Sequence, residues 1–265
     1  MYAHEPITFA VPVSDREIFE ANFLASPFLR DENSYQILKQ ESFASASRAY
    51  NDAIERSAND LIVFVHQDVF FPKGWTAHLR RALGWLDERD PGWGVLGSWG
   101  ARKGGGFAGH IYSTGLGVLG QSFDCPLPVQ TLDEAVLVLR KSSGLRFDES
   151  LPHFHFYGTD ICMIAAAKGM SSYAISAFCI HNTRQILVLP EEFYICYKHI
   201  KQSWKQCLPI ETTCISITRY DFALYERKLR ELYLKYCRRL QFGAARLESL
   251  GPLPAEWTSA GNDCH

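Results

Sequence analysis

The stretch LIVFVHQDVFF, residues 61–71, decides the fold class of this chain. Its first five residues are all apolar, without polar alternation, which is typical of a parallel strand covered on both faces. An imidazole, an amide and a carboxylate follow at once, in His66, Gln67 and Asp68. In open α/β sheets, ligands sit at the carboxyl ends of parallel strands. The stretch therefore predicts a buried strand that ends either at a functional site or in two side chains, His66 and Asp68, that only satisfy each other.

Apolar runs and helical patterns alternate on both sides of this strand. Strands are predicted over residues 7–13, 35–38, 61–65, 132–139 and 173–180. Helices are predicted over residues 15–24, 45–58, 76–87 and 161–168, with a long amphipathic helix from Arg219. This order indicates an α/β fold with a Rossmann-like mixed sheet flanked by helices and a C-terminal helical extension.

Composition narrows the possible functions. The chain has 265 residues, of which 47% are hydrophobic, enough for a sizeable core. Its formal net charge of -2 argues against nucleic acid as the main partner but leaves room for a small anionic ligand. No signal peptide and no apolar run of the roughly 18 residues needed to span a bilayer are visible. The eight cysteines are scattered, which predicts free thiols in a cytoplasmic protein.

Polar residues follow several of the predicted strands and open one predicted helix, all at the same end of the expected sheet. His66, Asp68, Asp160 and His181 are the candidates to converge on one cleft. A carboxylate with an imidazole suits a divalent cation such as Mg²⁺ or Mn²⁺. Asp160 either caps its helix or serves as a general base, and His181 is either a ligand or an ordinary satisfied histidine.

Two segments together resemble a known family. NDAIERSANDLIVFVHQDVFFPKGW, residues 51–75, looks like the third-strand region of GT-A glycosyltransferases of the family 2 type. LRFDESLPHFHFYGTDICMIAAAKGMSSYAISAFCIHNT, residues 145–183, resembles the second signature of the "glycosyltransferase-like" group related to the streptomycin-biosynthesis StrF protein. The resemblance covers roughly residues 5–185 and implies a GT-A fold, which binds nucleotide-diphospho-sugars. It divides the chain into a GT-A-like catalytic domain, 1–190, and a helical extension, 191–265.

The resemblance also implies roles for single residues. Asp160 matches the catalytic base, and Asp68 matches the residue that binds a divalent cation, Mn²⁺ or Mg²⁺. His181 matches a histidine that completes the binding of either the metal or the diphosphate. Binding of the nucleotide-sugar donor is expected from Val13, Ser14, Glu41, Asn51, His66, Gln67 and Asp68. Contacts to the acceptor or the sugar are expected from Trp99, Asp133, His155 and Tyr157. Trp99 is equally compatible with an ordinary core tryptophan.

The chain also departs from the family pattern. His66 replaces the first Asp of the usual motif, and Lys39, Gln40, Glu41 and Ser42 replace a Gly-Ser-rich turn. The motif of processive polysaccharide synthases is absent, which favours transfer of one sugar, with inversion, to an unknown hydroxyl acceptor. The alternative is a catalytically inactive GT-A-like sugar-nucleotide-binding or scaffold protein. A nucleotidyltransferase is disfavoured because its phosphate loop is missing.

The helix from Arg219 has an aromatic face and a basic face. Packing on the catalytic domain or on a second subunit of a homo-oligomer is the first interpretation. The alternative is membrane association through the aromatic face.

Overall fold

The computed structural model describes residues 5–31, 35–183 and 188–237, together with Leu247, Leu250 and Leu253. The strands of these ranges are β1 Ile7–Pro12, β2 Tyr35–Gln40, β3 Leu61–Val65, β4 Val69–Phe70, β5 Val95–Gly97, β6 Trp99–Ala101, β7 Phe107–Ser113, β8 Gly117–Gly120, β9 Leu127–Val129, β10 Thr131–Leu132, β11 Val136–Arg140, β12 Ser172–Ala174 and β13 Cys179–His181. The helices are α1 Arg16–Ala21, α2 Phe28–Asp31, α3 Ala46–Arg56, α4 Trp75–Arg89, α5 Tyr157–Ala167, α6 Glu191–Ser203 and α7 Phe222–Cys237.

The main sheet is mixed and has the order β2-β1-β3-β11-β5-β12-β9. Strands β2, β1 and β3 run parallel, and Phe9 pairs with Ile37 on one side and with Val63 on the other. Strand β11 is antiparallel to both β3 and β5. A second sheet has the order β10-β6-β7-β13-β4, with β8 added on β7. The predicted mixed α/β sheet flanked by helices is confirmed.

The alternating faces of β3 hold the two main parts of the core. Ile62 and Phe64 face a cluster that includes residues of α3, α5 and α6. Val63 and Val65 face a second cluster, which includes Trp75 of α4 and Phe19 of α1. All five residues of β3 are fully buried. The absence of polar alternation in residues 61–65 follows from this burial on both faces.

Two predicted strands are each divided in the structure. Residues 173–180 were expected to form one strand, but β12 lies in the main sheet and β13 in the second sheet. The backbone N–H of Ile175 donates to the carbonyl of Gly97 in β5, and the chain then passes from the main sheet to the second sheet. Residues 132–139 divide into β10 and β11 because the carboxylate of Asp133 accepts from the backbone N–H of Ala135 and forms a turn.

The cysteines depart from the expectation of free thiols at one position. Cys125 is disulfide-bonded. Within the described ranges the free thiols are Cys162, Cys179, Cys196, Cys207 and Cys214.

The chain beyond residue 190 contributes to the same core. Helix α6 buries Phe193, Cys196, Tyr197 and Ile200 against the cluster on the α3 and α5 side of the sheet. Helix α7 leaves a row of apolar side chains exposed: Phe222, Tyr225, Leu229, Leu232 and Tyr233. In the described ranges, no helix has both the length and the apolar character needed to cross a bilayer.

Candidate functional site

A cleft of about 700 Å³ lies where β1, β2 and β3 end. The carboxyl ends of these three parallel strands meet at one edge of the sheet, so the residues after each strand become neighbours. Six of the seven residues predicted to bind the donor line this cleft: Val13, Ser14, Glu41, His66, Gln67 and Asp68. The exposed ring of Phe154 forms part of its wall.

Gln67 ties two walls of the cleft together. Its Oε1 accepts from the backbone N–H groups of Ser14, at 2.9 Å, and Asp15, at 3.0 Å. Its Nε2 donates to the hydroxyl of Ser14 at 2.9 Å. The turn after β2 is completed by Ser42 with φ of 64°, the left-handed region usually taken by glycine. The loops after β1 and β3 are thus held in a fixed relation by one side-chain amide.

Three titratable side chains meet at the edge of the cleft. The Nδ1 of His66 lies 3.3 Å from the Nε2 of His181, and that Nε2 lies 3.4 Å from the Oδ1 of Asp68. His181 reaches this position because β13 pairs with β4, which aligns His181 with Val69. The backbone N–H of Asn182 adds a bond to the carbonyl of Asp68 at 2.9 Å. We call His66, Asp68 and His181 the His-Asp-His cluster.

The members of this cluster have unequal pKa values. Burial and the neighbouring His181 lower the pKa of His66 to about 4, which keeps its imidazole neutral. Burial alone would lower the pKa of His181, but the charge of Asp68 outweighs it and raises that pKa. Burial would likewise raise the pKa of Asp68, but His181 outweighs it and holds that pKa below its ordinary range. His181 and Asp68 thus shift each other's pKa values in opposite directions, each favouring the charged form of the other.

Tyr157 lies behind the cluster and fixes the ring of His66. Its hydroxyl lies 2.6 Å from the Nε2 of His66 and donates to the backbone carbonyl of Glu134 at 3.1 Å. The contact holds the Nε2 edge of the imidazole, so that Nδ1 faces His181. Tyr157 is 1% exposed, and its predicted contact to acceptor or sugar stays a prediction.

The His-Asp-His cluster has the properties of a cation site. One ligand atom from each of the three residues lies within 4.8 Å of the others. The Oδ1 of Asp68 is buried and has no hydrogen-bond partner in the described part of the chain, although it lies near the imidazole of His181. An unsatisfied carboxylate oxygen with two imidazoles is a donor set that suits divalent transition metals. These three residues could together hold a metal ion.

Asp160 lies in a different environment from the cluster. It is 2% exposed, and its Oδ1 accepts from the indole N–H of Trp204 at 2.7 Å. Its Oδ2 is buried and has no hydrogen-bond partner among the described residues. Burial raises its pKa to about 6, and the bond from Trp204 opposes that rise. Its charged neighbours are Asp148 and His199. Of the four residues predicted to converge, His66, Asp68 and His181 form the cluster, and Asp160 is not part of it.

The other predicted site residues are engaged in packing or local hydrogen bonds. Asn51 lies outside the cleft because its amide bonds both backbone groups of Phe147. Trp99 stacks on Phe107, with ring centroids 5.5 Å apart. The ring of His155 packs edge-on against Phe193 of α6, with ring centroids 5.7 Å apart. The carboxylate of Asp133, besides forming its turn, accepts from the hydroxyl of Thr213 at 3.1 Å.

Besides the remaining residues of the cleft wall, two residues without a predicted role contact the predicted site residues. Trp204 lies in the predicted C-terminal extension, and no local pattern connects it to Asp160. Glu134 received no role either, although it follows the selected Asp133 at the start of an apolar strand. Burial and the charge of Asp133 raise the pKa of Glu134 to about 8. The backbone N–H of Gly158, in the first turn of α5, donates to its carboxyl group at 3.4 Å.

Comparison with known proteins gives low identities. No family model matches the chain. A protein of Fuscovulum blasticum described as ATP synthase subunits region ORF 6 is 26% identical over 223 residues, which cover 74% of this chain and 89% of that protein.

Solved structures with a similar arrangement include three that each match 88% of this chain. Residues 1–349 of S. aureus TarS match with 16% identity over 73% of that chain and a TM-score of 0.47. The mannosyltransferase PcManGT of Pyrobaculum calidifontis, in complex with GDP-Man and Mn²⁺, matches with 12% identity over 71% of that chain and a TM-score of 0.45. GalNAc-T7, with UDP, GalNAc and Mn²⁺, matches with 7% identity over 56% of that chain and a TM-score of 0.45. Matches at this level assign no activity to the chain.

Proposed function

We propose that this chain is a glycosyltransferase that moves one sugar from a nucleotide-diphosphate-sugar donor to an acceptor hydroxyl. The observation that carries the proposal is the His-Asp-His cluster at the edge of the strand-end cleft. The resemblance of residues 51–75 and 145–183 to family 2 signatures points to the same reaction. In this proposal the cleft binds the donor, and residues 191–265 complete the catalytic domain of residues 1–190.

The donor lies with its diphosphate at the His-Asp-His cluster. Asp68 and His181 would hold a divalent cation, Mn²⁺ or Mg²⁺, with His66 as a further possible ligand. When bound, the cation offsets the negative charge that develops on the leaving nucleotide. Val13, Ser14 and Glu41 contact the nucleotide along the cleft.

Asp160 acts as the general base in a single displacement. The acceptor oxygen forms a bond to the anomeric carbon as the bond from that carbon to the diphosphate breaks, which inverts the anomeric configuration. The proton of the acceptor hydroxyl passes to Asp160. A pKa of about 6 suits this role, because the carboxylate is ionised at neutral pH yet more basic than an ordinary aspartate.

The second candidate is an inactive protein of the same fold that binds sugar nucleotides or serves as a scaffold. Two observations favour it: an imidazole stands where the motif usually has its first carboxylate, and Asp160 is 2% exposed. Such a protein requires neither a cation nor a base. The two candidates therefore differ in their response to metal and in turnover.

The test is a panel of nucleotide-sugars titrated against the full chain, with binding followed by thermal shift. Each ligand is measured with Mn²⁺, with Mg²⁺ and with excess chelator, and bound ligands are then tested for turnover. We expect stabilisation by one nucleotide class only in the presence of the cation, followed by release of the nucleoside diphosphate. Stabilisation without turnover for any acceptor class would favour the inactive candidate. No response to any nucleotide would refute the transferase and leave the scaffold as the function.

A further inference from the structure

We infer that Trp204 is a positioning residue for Asp160: its indole N–H fixes one carboxylate oxygen and leaves the other to receive the acceptor proton. This inference rests on the proposed function. Trp204 belongs to the C-terminal extension, 44 residues away in the sequence, and contacts the carboxylate of Asp160 at 2.7 Å.

Both partners of this bond are held by rigid backbone. The backbone N–H of Asp160 bonds the carbonyl of Phe156 at 2.8 Å, inside the first turn of α5. The backbone N–H of Trp204 bonds Ile200 at the end of α6, and its carbonyl accepts from Cys207 in the next turn. The indole is half-buried, whereas the carboxylate is 2% exposed. Trp204 therefore reaches inward from the surface and orients Asp160 from a fixed position.

The two oxygens of Asp160 are not equivalent. The Oδ1 accepts from Trp204, whereas the buried Oδ2 forms no hydrogen bond of normal geometry with the described residues. The backbone of Asp148 is near enough to the carboxyl to lower its pKa, but less than Trp204 does. A buried carboxylate oxygen without a donor is costly, and a catalytic role is one of the reasons for which native structures keep such atoms. An acceptor hydroxyl that donates to Oδ2 would satisfy this atom and place its proton for transfer.

The indole is suited to this role because it donates but does not titrate. The charged groups facing Asp160 come from two other elements, Asp148 in the segment before α5 and His199 on α6. The Nε2 of His199 lies 3.7 Å from the Oδ2 of Asp148. Asp148 raises the pKa of Asp160 and His199 lowers it, so their effects oppose each other. The hydrogen bond from Trp204 lowers this pKa, and its removal should therefore raise it.

The variant Trp204→Phe tests the inference because it keeps an aromatic ring and removes the N–H. The acid limb of log kcat against pH should move upward by about one pH unit, since a carboxylate that loses one hydrogen bond holds its proton more tightly. We expect kcat to fall roughly tenfold and the KM of the donor to stay unchanged. Trp85→Phe is the matched control, because Trp85 is also half-buried but lies on α4, across the sheet. An acid limb that coincides with the wild type would overturn the inference.

A second measurement does not depend on turnover. The indole ¹H–¹⁵N resonance of Trp204 is assigned by its loss in Trp204→Phe and followed between pH 4 and 8. It should titrate in the wild type and stay constant in Asp160→Asn, and a resonance that ignores pH would contradict the contact. If Trp204→Phe fails to fold, the resonance that differs between wild type and Asp160→Asn serves for assignment. A wild type without turnover would refute the proposed function, while this titration would still show whether Trp204 governs the ionisation of Asp160.

Discussion

Asp68 and Asp160 are two carboxylates of one chain in opposite environments, the first half-buried and the second 2% exposed. Asp68 lies beside His181, whose charge outweighs burial and holds the pKa of Asp68 below its ordinary range. Asp160 has a neutral indole donor, and burial prevails, so its pKa rises to about 6. Both have one oxygen without a hydrogen-bond partner in the described part of the chain.

The opposite pKa shifts show that neighbouring groups decide whether an aspartate stays ionised or can accept a proton. A carboxylate kept ionised over the whole physiological range is suited to hold a cation. A carboxylate with a raised pKa is suited to accept a proton. Substitution of Asp160 should therefore reduce transfer, whereas substitution of Asp68 should reduce cation-dependent binding.

The largest effect is expected from Asp160→Asn on transfer. Asparagine keeps the size of the side chain and a carbonyl that can accept from Trp204, but it cannot take a proton at neutral pH. We expect kcat to fall by roughly 10²- to 10⁴-fold, the range for loss of a general base. Donor affinity, measured by calorimetry, should stay within twofold of the wild type. Retained transfer would remove Asp160 from the mechanism.

Asp68→Ala should weaken the binding of the nucleotide, which Asp160→Asn leaves unchanged. Without this carboxylate, two imidazoles remain at the cluster, and we expect cation-dependent affinity for the nucleotide to fall by about 100-fold. Titration with Mn²⁺ and with chelator measures the change, and Asp160→Asn is the control. Nucleotide binding that is equal with cation and with chelator, in both wild type and Asp68→Ala, would show that the cleft does not use a metal.

Strand-end residues in the parallel part of the sheet could be predicted from the sequence because local pattern and topology agree there. Residues 61–65 form β3 with the predicted bounds, and His66, Gln67 and Asp68 line the cleft. His181 joined them as predicted, although the strand before it had to divide between two sheets. That division depends on hydrogen bonds from β5 and on pairing with β4, neither of which leaves a periodic signal in residues 173–180.

The environment of Asp160 could not be predicted, because it depends on a residue from another part of the chain. The first-turn position of Asp160 was visible in the sequence, but the side from which it is contacted is set by the packing of α6. Asn51 shows the same limit, since its amide bonds the backbone at Phe147, 96 residues away. Pattern analysis identifies side chains at element ends, whereas tertiary contacts determine which of them remain available.

The raised pKa of Asp160 also predicts a dependence of stability on pH. The folded state binds this proton more tightly than the unfolded chain, so stability is fully present below about pH 4 and declines as pH rises toward about 6. Asp160→Asn removes the decline. Its stability relative to the wild type should therefore be on the order of 2–3 kcal/mol greater at pH 8 than at pH 4. Urea unfolding at both pH values measures this difference, and a pH-independent difference would mean that Asp160 has an ordinary pKa.

The smallest effect is expected from Tyr157→Phe, which tests the support of the His-Asp-His cluster without touching either carboxylate. Removing the hydroxyl releases the Nε2 of His66, so the ring can turn and its Nδ1 no longer faces the cation position. We expect affinity for Mn²⁺ to fall roughly tenfold, the lower range for loss of a group that orients a metal ligand. Tyr173→Phe is the control, because its hydroxyl bonds Asp90 at 2.8 Å, away from the cluster. Equal Mn²⁺ affinity in both variants would mean that His66 is not a ligand and that Asp68 and His181 bind the cation without it.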